Sequence, residues 1–576
     1  MTCCLIAKDQ LDGTLRRSSK DVMKLDRLGA LFPNRLSFSR TLVRRMRREK
    51  WTIKRNSFSL NEKGVGTAIY KITTNQSPLW FVVFAQHLLA EDRTDRVIAE
   101  KWDATFTLTC EEPIGNHLKR LEANVPLQEM GRYTAKELVL SRANKSVRLF
   151  EYVSDKLAAG VQPDPSELMD VGYLIRTTAV YGNGKFGLSD LENIKSKKIF
   201  ELPFQAEMLC VYLARCFSFD WVEHVAFFKS SGSYKPLDDH LKQALGVGNA
   251  TGLGMAPFLV NHPKLICHWI TARENALAAV KGIKKLSKDS RNRFVELLKE
   301  AQIHLIEWPT TDEKQQAKLQ KLKEELLQVA QRVPSLDDYK FWESLTSWAS
   351  SNLSLEGQEL LNSLVIEINP TVVDHFELET ASDELMVIEA DMPLISILKI
   401  IESRYSWVLK LNLEHEESNA RFWYRSEEKE EPRLGWRFKE PGSDKEMRLG
   451  IAQNVKKLYE QLLAEDLSLE VMTVSDFLIT APTWRETIQR IQSLRNCHYA
   501  EIEDNVLEEN CRPTNLLRCK LAMFGATKFD PKSDLWIRIA LFQGAPLSKN
   551  LNLNGPDWSS FSPLNKKLSH EPNHFA

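Results

Sequence analysis

The 576-residue sequence lacks the features that mark membrane-spanning or disulfide-stapled secreted proteins. No run of about 18 consecutive apolar residues is present, which argues against a transmembrane helix. The nine cysteines are odd in number and contain no CxxC pair, a usage typical of a reducing compartment. The first residues form only a short apolar run followed by early acidic residues, unlike a secretory or transit signal. We therefore expect a cytoplasmic protein that does not associate with a membrane.

An excess of charge of either sign is also missing. Lysine and arginine together number 77, as do aspartate and glutamate, so the formal net charge is zero. This balance argues against a globally polybasic nucleic-acid binder. Apolar residues make up 43% of the chain, enough to bury a sizeable core without disulfide or metal staples.

The motifs of several large enzyme classes are absent. We find no GxSxG nucleophile elbow, no phosphate-binding P-loop, no EF-hand loop and no kinase signature set. An HExxH string occurs at 570–574, but Pro572 is incompatible with the helix that would place both histidines on one face. The sequence therefore predicts no metal site, and it leaves the cofactor unknown.

Hydrophobic patterning predicts an α+β fold, with a predominantly helical central body flanked by N-terminal and C-terminal antiparallel sheet regions. Strands are expected over 66–73 and 79–84 as a hairpin, over 101–110 with one buried face, and over 516–524 and 535–542. The expected segments are a polar lead-in (1–34), a basic helix plus antiparallel strands (35–130), a helical domain with glycine-rich polar loops (131–308), a helical region with a heptad-like helix (309–412), a C-terminal α+β region (413–545) and a flexible tail (546–576).

The first candidate site is the glycine-marked segment 176–187. Its three glycines allow the backbone to approach a ligand closely, and polar side chains alternate with them. We predict Lys185 and Tyr181 as the catalytic proton carriers, with Arg176 and Asn183 binding substrate. The alternative is a tight connection that carries a solvated lysine.

A second glycine-marked segment, 245–257, is expected to connect two helices. Backbone N–H groups at a helix start favour anions, so Asn249 and Thr251 are predicted to bind substrate there. The alternative is a helix-capping glycine followed by close helix packing.

The third candidate is a predicted helix over 140–148. Helical spacing would place Ser141, Asn144, Lys145 and Arg148 on one polar face. We predict that Arg142, Asn144 and Lys145 bind the charge of the substrate. A purely solvated polar face is the alternative.

These candidates favour an enzyme or specific binder of a small anionic metabolite, a carboxylate or a phosphate. Acid/base chemistry without a metal is expected, and lyase, isomerase and transferase reactions remain open. The alternative function is a regulatory protein that binds nucleic acid or an acidic partner through the basic helix 35–55. A heptad-like helix over 312–333 predicts either a core helix or a homodimer contact.

Overall fold

The computed structural model describes a large part of the chain. The described residues are 16–28, 31–32, 34–89, 101–127, 136–177, 203–251, 263–306, 308, 313–376, 388–412, 448–464, 469–495, 497–499, 513–525, 528–530, 537–552 and 558. Structural statements below refer to these residues.

The strands of the described residues belong to a single sheet. In chain order they are β1 (Thr52–Leu60), β2 (Gly66–Thr73), β3 (Leu79–Ala85), β4 (Ala104–Thr109), β5 (Glu137–Lys145), β6 (Tyr173–Thr177), β7 (Gly246–Thr251), β8 (Lys528–Asp530) and β9 (Ile537–Leu541). Their order across the sheet is β1-β2-β3-β4-β5-β6-β7-β9-β8. All neighbours are antiparallel except β6 and β7, which are parallel.

Helices account for most of the remaining described chain. They are α1 (Ser19–Val22), α2 (Leu25–Leu28), α3 (Phe38–Arg48), α4 (Gly115–Asn124), α5 (Phe150–Ala158), α6 (Pro165–Val171), α7 (Pro203–Lys229), α8 (Asp239–Ala244), α9 (Pro263–Lys281), α10 (Lys288–Ile306), α11 (Glu313–Arg332), α12 (Phe341–Asn352), α13 (Leu355–Ile368), α14 (Pro370–Val373), α15 (Leu394–Arg404), α16 (Ser406–Leu409), α17 (Arg448–Ala464), α18 (Val474–Thr480), α19 (Arg485–Gln492) and α20 (Pro513–Phe524). None of these helices is both long enough and apolar enough to cross a membrane.

The α+β class is confirmed, and the sheet shows how the two ends of the chain meet. The C-terminal strand β9 pairs with β7, which in turn pairs with β6 from the N-terminal half. The strands predicted near the two ends of the chain therefore share one sheet. Helix α7 packs against strands β4 to β7 on one face of that sheet.

The predicted hairpin is confirmed, with Ile69 opposite Val82 in the antiparallel pair β2–β3. The alternating segment that follows also forms a strand, β4, but the prediction of a single buried face was wrong. Every residue of β4 is buried, including the polar residues Thr105, Thr107 and Thr109. On this side of the sheet, Val82 and Leu140 flank Thr107 and pack with Leu121 of helix α4 in a second apolar cluster.

The prediction of a helix over 140–148 was wrong, because β5 occupies Glu137–Lys145. Leu138, Val139 and Leu140 are all buried, although they point alternately to opposite faces of the sheet. A strand buried on both faces loses its alternating pattern and resembles a helix in sequence. The segment predicted as a helical domain, 131–308, thus contributes β5, β6 and β7.

The strand predicted over 516–524 was also wrong, because this stretch lies in helix α20. The helix starts with Pro513, whose missing N–H and fixed φ suit the first helical turn. It ends before Gly525, which has a φ of +68° and so terminates the helix without strain. The strand predicted over 535–542 is confirmed as β9.

The basic helix predicted over 35–55 is confirmed for Phe38–Arg48 (α3), whereas its last residues belong to strand β1, and several of its arginines pair within the chain. Arg40 is almost fully buried and binds both oxygens of Glu367. Arg35, just before the helix, binds Asp374 through two nitrogens at 2.6 and 2.8 Å. Arg45 bonds Glu49 at 2.9 Å. These three arginines are therefore paired with acidic residues of the same protein, and the nucleic-acid alternative stays a prediction.

The heptad-like segment forms helix α11, and its apolar residues are buried inside the described chain. Leu322, Leu326 and Val329 are at most 2% exposed. The helix packs against α10 and α13. This geometry matches the core-helix interpretation, and the apolar face that would form a dimer is already covered.

Candidate functional site

Strands β4, β5 and β6 lie side by side in the middle of the sheet. Thr105 pairs with Arg142 across β4 and β5, and Asn144 pairs with Arg176 across β5 and β6. Paired residues share a face of the sheet, and residues two apart on one strand do as well. We call this surface the threonine face; it consists of Asp103, Thr105, Thr107, Arg142, Asn144 and Arg176.

The threonine face is buried, although its side chains are polar. Thr105 is 2% exposed and Thr107 is fully buried. Among the residues that the structure describes, neither threonine hydroxyl has a hydrogen-bond partner, and the same holds for the indole nitrogens of Trp80 and Trp102. Native proteins leave few buried polar groups unpaired, since each one costs roughly 1–3 kcal/mol. Several such groups around one face therefore call for a partner that the described residues do not supply.

The guanidinium of Arg142 lies at the edge of these unpaired groups. Its central carbon is 4.2 Å from the centre of the Trp102 ring, the distance of a cation–π contact. Stacking on an indole fixes the plane of a guanidinium. Arg142 is only half-buried. The face therefore places one partly exposed guanidinium beside buried hydroxyl and indole N–H donors.

The amide of Asn144 positions the chain segment that carries Trp102. Its oxygen accepts the backbone N–H of Asp103 at 2.8 Å, and its nitrogen donates to the carbonyl of Lys101 at 3.4 Å. The backbone N–H of Lys145 donates to the carboxylate of Asp103 at 2.9 Å. Asn144 was predicted to bind substrate; the structure instead engages its amide in holding the 101–103 segment against β5.

The opposite, helix-covered face carries other predicted site residues. Asn249 donates through its amide nitrogen to the carbonyl of Thr177 at 2.8 Å, and its oxygen accepts from Nζ of Lys520 at 2.6 Å. The hydroxyls of Thr177 and Ser141 bond each other at 2.9 Å. These contacts form a continuous buried chain from α20 to β5. Burial holds the pKa of Lys520 well below its ordinary value.

Lys145 also lies on the helix-covered face. Its Nζ is 4.5 Å from the ring centre of Phe150 and 4.4 Å from that of Trp221. The prediction that a helical face brings Asn144, Lys145 and Arg148 together was therefore wrong. In a strand, neighbouring residues point to opposite faces, which separates Lys145 from Arg142 and Asn144.

The second glycine-marked segment was predicted to be a loop leading into a helix, but Gly246–Thr251 forms strand β7. A Cβ on Gly246 would lie 2.3 Å from the carbonyl oxygen of Leu541, and one on Gly248 would lie 2.6 Å from the Tyr173 ring. These glycines are required for close packing of the strand, not for an anion at a helix start. The side chain of Thr251 lies outside the described residues.

The first glycine-marked segment is described only at its start. Arg176 lies in β6 on the threonine face, half-buried. Tyr181, Asn183 and Lys185 lie outside the described residues. Their predicted roles remain predictions.

Sequence reasoning missed Thr105, Thr107, Trp102 and Asp103. The signal was present, because threonines at 105, 107 and 109 alternate with apolar residues. A solvated strand face more often carries charged side chains, whereas threonine tolerates burial and still offers a hydroxyl. No protein-family model matches this chain, and comparisons with curated proteins and with solved structures found no significant match. The candidate function therefore depends on the geometry of the site.

Proposed function

We propose that this protein binds a small anionic metabolite, a carboxylate or a phosphate, on the threonine face. The observation that carries the proposal is the set of buried hydroxyls and indole N–H groups that have no partner in the described part of the chain, beside the stacked guanidinium of Arg142. A bound anion would accept hydrogen bonds from these donors. Their desolvation cost would then be offset only in the complex.

Two guanidiniums give this face its preference for negative charge. Arg142 and Arg176 are diagonal neighbours on adjacent strands, a geometry that separates Cα atoms by about 7–8 Å. That spacing is within the reach of long side chains that converge on one carboxylate or phosphate. Guanidiniums form paired N–H···O bonds with such oxyanions, and these bonds are about twice as strong as neutral ones.

Asp103 adds a group suited to proton transfer. It is fully buried, and its Oδ2 accepts the N–H of Lys145, which fixes the carboxylate beside β5. A carboxylate next to a bound anion favours uptake of a proton, because the two like charges repel. This arrangement supports an enzyme with acid/base chemistry, in which Arg142 binds charge and Asp103 moves the proton. Lyase, isomerase and transferase reactions all fit it.

The proposal is tested by thermal shift of the full chain with phosphate, pyrophosphate, citrate and malate at low and high salt. A ligand that binds only the folded state raises Tm by mass action. We expect Arg142→Gln to weaken the responding anion by about tenfold or more, because a charge-assisted hydrogen bond contributes about 1.5–3 kcal/mol. Thr107→Val should weaken the same anion by a smaller factor.

Arg148→Gln is the matched control. Arg148 follows β5 and pairs with the exposed Asp170 at 2.9 Å, so its loss removes one positive charge without touching the threonine face. The proposal predicts an unchanged anion response in this variant. Equal losses in Arg148→Gln and Arg142→Gln would show a non-specific charge effect and overturn the assignment, as would the lack of any anion response.

A further inference from the structure

Helix α4, which follows β4 in the chain, covers part of the threonine face. Leu121 of this helix and Val125 just beyond it are each 3% exposed, and both pack with Val82 and Leu140 of the sheet. Thr107 pairs with Val82 on one side and with Leu140 on the other, so it lies between the two residues that α4 covers. Because Thr107 is fully buried, a ligand reaches its hydroxyl only after this cover has moved.

The apolar contact between α4 and the sheet is small. Leu118 adds to the packing of Leu121 and Val125, whereas Lys119 and Glu122 of the same helix are exposed. The backbone of α4 comes close to the other described elements at few points. Elements with few buried apolar contacts open at a lower free energy than the core of a protein does. The packing of α4 is therefore that of an element able to open locally.

A contact between charged groups holds α4 to the start of β5. The carboxylate of Glu137, which is 2% exposed, accepts a hydrogen bond from the guanidinium of Arg120 at 2.6 Å. Nε2 of His117, about one turn earlier on α4, lies 3.6 Å from the same carboxylate oxygen. We call the contact between Arg120 and Glu137 the latch. Breaking it by removing one partner leaves the other buried without its counter-charge, so the latch stabilises the covered arrangement.

The chain enters α4 through a glycine. Gly115, the first residue of the helix, has a φ of +52°, which side chains other than that of glycine rarely allow. A Cβ at this position would meet no atom of the described residues within 4 Å, apart from its chain neighbours. Ile114, which precedes it, provides no side-chain hydrogen bond to the start of the helix. Backbone rotation at Gly115 is therefore sterically open, as a hinge requires.

We propose that α4 is a lid over the threonine face, hinged near Gly115 and held closed by the latch. The proposal rests on the anion-binding function proposed above, for which the lid is the entrance. Opening exposes the hydroxyl of Thr107 and the indole N–H of Trp80, which have no hydrogen-bond partner among the described residues. Closure returns the apolar side chains of α4 to the sheet and excludes water. Charge interactions are stronger without water, so closure strengthens the attraction between Arg142 and a bound anion.

The test measures opening of the lid without a ligand. Thr107→Cys places a thiol beneath α4, and the rate of its alkylation by iodoacetamide, followed by mass spectrometry, reports how often the lid opens. We expect the added substitution Arg120→Gln to raise this rate by about tenfold, because the closed state then buries Glu137 without its guanidinium partner. Lys119→Gln is the matched control, since it removes one positive charge from the exposed neighbouring position. This control should leave the rate unchanged.

A second thiol shows whether any acceleration is confined to the lid. Thr177→Cys places it on the helix-covered face, where Arg120→Gln should not change the rate of alkylation. Equal acceleration at positions 107 and 177 would show general loosening of the protein and overturn the lid, as would an unchanged rate at position 107. If Thr107→Cys does not fold, hydrogen exchange of Arg120→Gln alone decides. Exchange should then accelerate in α4 and stay unchanged in β2 and β3.

The two proposals fail in different ways. If no anion binds, but Arg120→Gln accelerates alkylation at position 107 alone, the anion-binding function is wrong and the lid is supported. If an anion binds, but Arg120→Gln changes neither the alkylation at position 107 nor the association rate of the anion, the lid is wrong and the binding function is retained.

Discussion

The two faces of the central sheet differ in whether their buried polar groups are hydrogen-bonded. On the helix-covered face, Lys520, Asn249, Thr177 and Ser141 form one chain of hydrogen bonds. On the threonine face, the hydroxyls of Thr105 and Thr107 are as deeply buried, yet have no partner among the described residues. Both sets include buried hydroxyls on neighbouring strands of one sheet, so the contrast lies in what each face is packed against.

This contrast separates structural polar residues from functional ones. A paired network rigidifies a core. Removing one member leaves its partners buried without a hydrogen bond, so that their desolvation cost is no longer offset. An unpaired buried hydroxyl lowers stability and persists only where something else requires it. Burial and residue type alone do not separate these two cases, whereas hydrogen-bond pairing does.

The largest expected effect comes from breaking the paired network at its centre. Asn249→Leu removes the acceptor of the Lys520 amine and the donor to the Thr177 carbonyl. We expect the free energy of unfolding to fall by about 3 kcal/mol, because the remaining groups keep their desolvation cost. Denaturant unfolding measures this change.

The double variant Asn249→Leu with Lys520→Met is the control for that effect. Replacing both partners by apolar side chains of similar size leaves neither of them unpaired, so most of the lost stability should return. Purely additive losses in the double variant would show that the two side chains do not act as one unit.

A smaller effect is expected in the pH dependence of stability. Burial lowers the pKa of Lys520 from its ordinary 10.5. Between this lowered pKa and 10.5, the unfolded chain binds a proton that the folded chain does not, so stability rises with pH. Below the lowered pKa, both states carry the proton and the penalty is constant.

Lys520→Met removes this contribution. The free energy of unfolding of the variant minus that of wild type should therefore fall as pH rises from 7 towards 10.5, whatever its sign at pH 7. Denaturant unfolding of both proteins at several pH values measures the difference. A difference that does not change over the whole range would contradict burial of a titrating amine.

The sequence predicted elements that a local signal marks clearly. The β2–β3 hairpin follows from two apolar runs on either side of a turn-like segment, and helix α3 follows from helical spacing. Strand β5 was missed because both of its faces are buried, and β7 because its glycines meet neighbouring atoms that are distant in sequence. Register across strands decides which polar residues share a face, and composition carries no information about register.

For the candidate site, Arg142 and Arg176 could be predicted from the sequence, but their grouping with Thr105 and Thr107 could not. Their proximity arises from pairing between β4, β5 and β6. Asn249 and Lys145 were also predicted from the sequence to bind the ligand, whereas the structure places both on the helix-covered face. Residue type suggested anion binding, and only the fold divided these residues between the two faces.

The most direct test of the contrast is one substitution made on each face. Thr107→Val and Thr177→Val both replace a buried strand hydroxyl with a methyl group. Thr177 donates to the carbonyl of Arg142 at 3.1 Å and bonds Ser141, so its loss should destabilise the protein by about 1 kcal/mol.

Removal of the unpaired hydroxyl of Thr107 should leave stability unchanged or raise it by up to about 1 kcal/mol, because a desolvated group without a partner is lost. Denaturant unfolding of both variants, without added ligand, measures the sign of each change in the free energy of unfolding. We predict that Thr177→Val loses stability, whereas Thr107→Val gains stability or leaves it unchanged. An equal loss in both variants would show that Thr107 is paired within the protein and would contradict a ligand-binding threonine face.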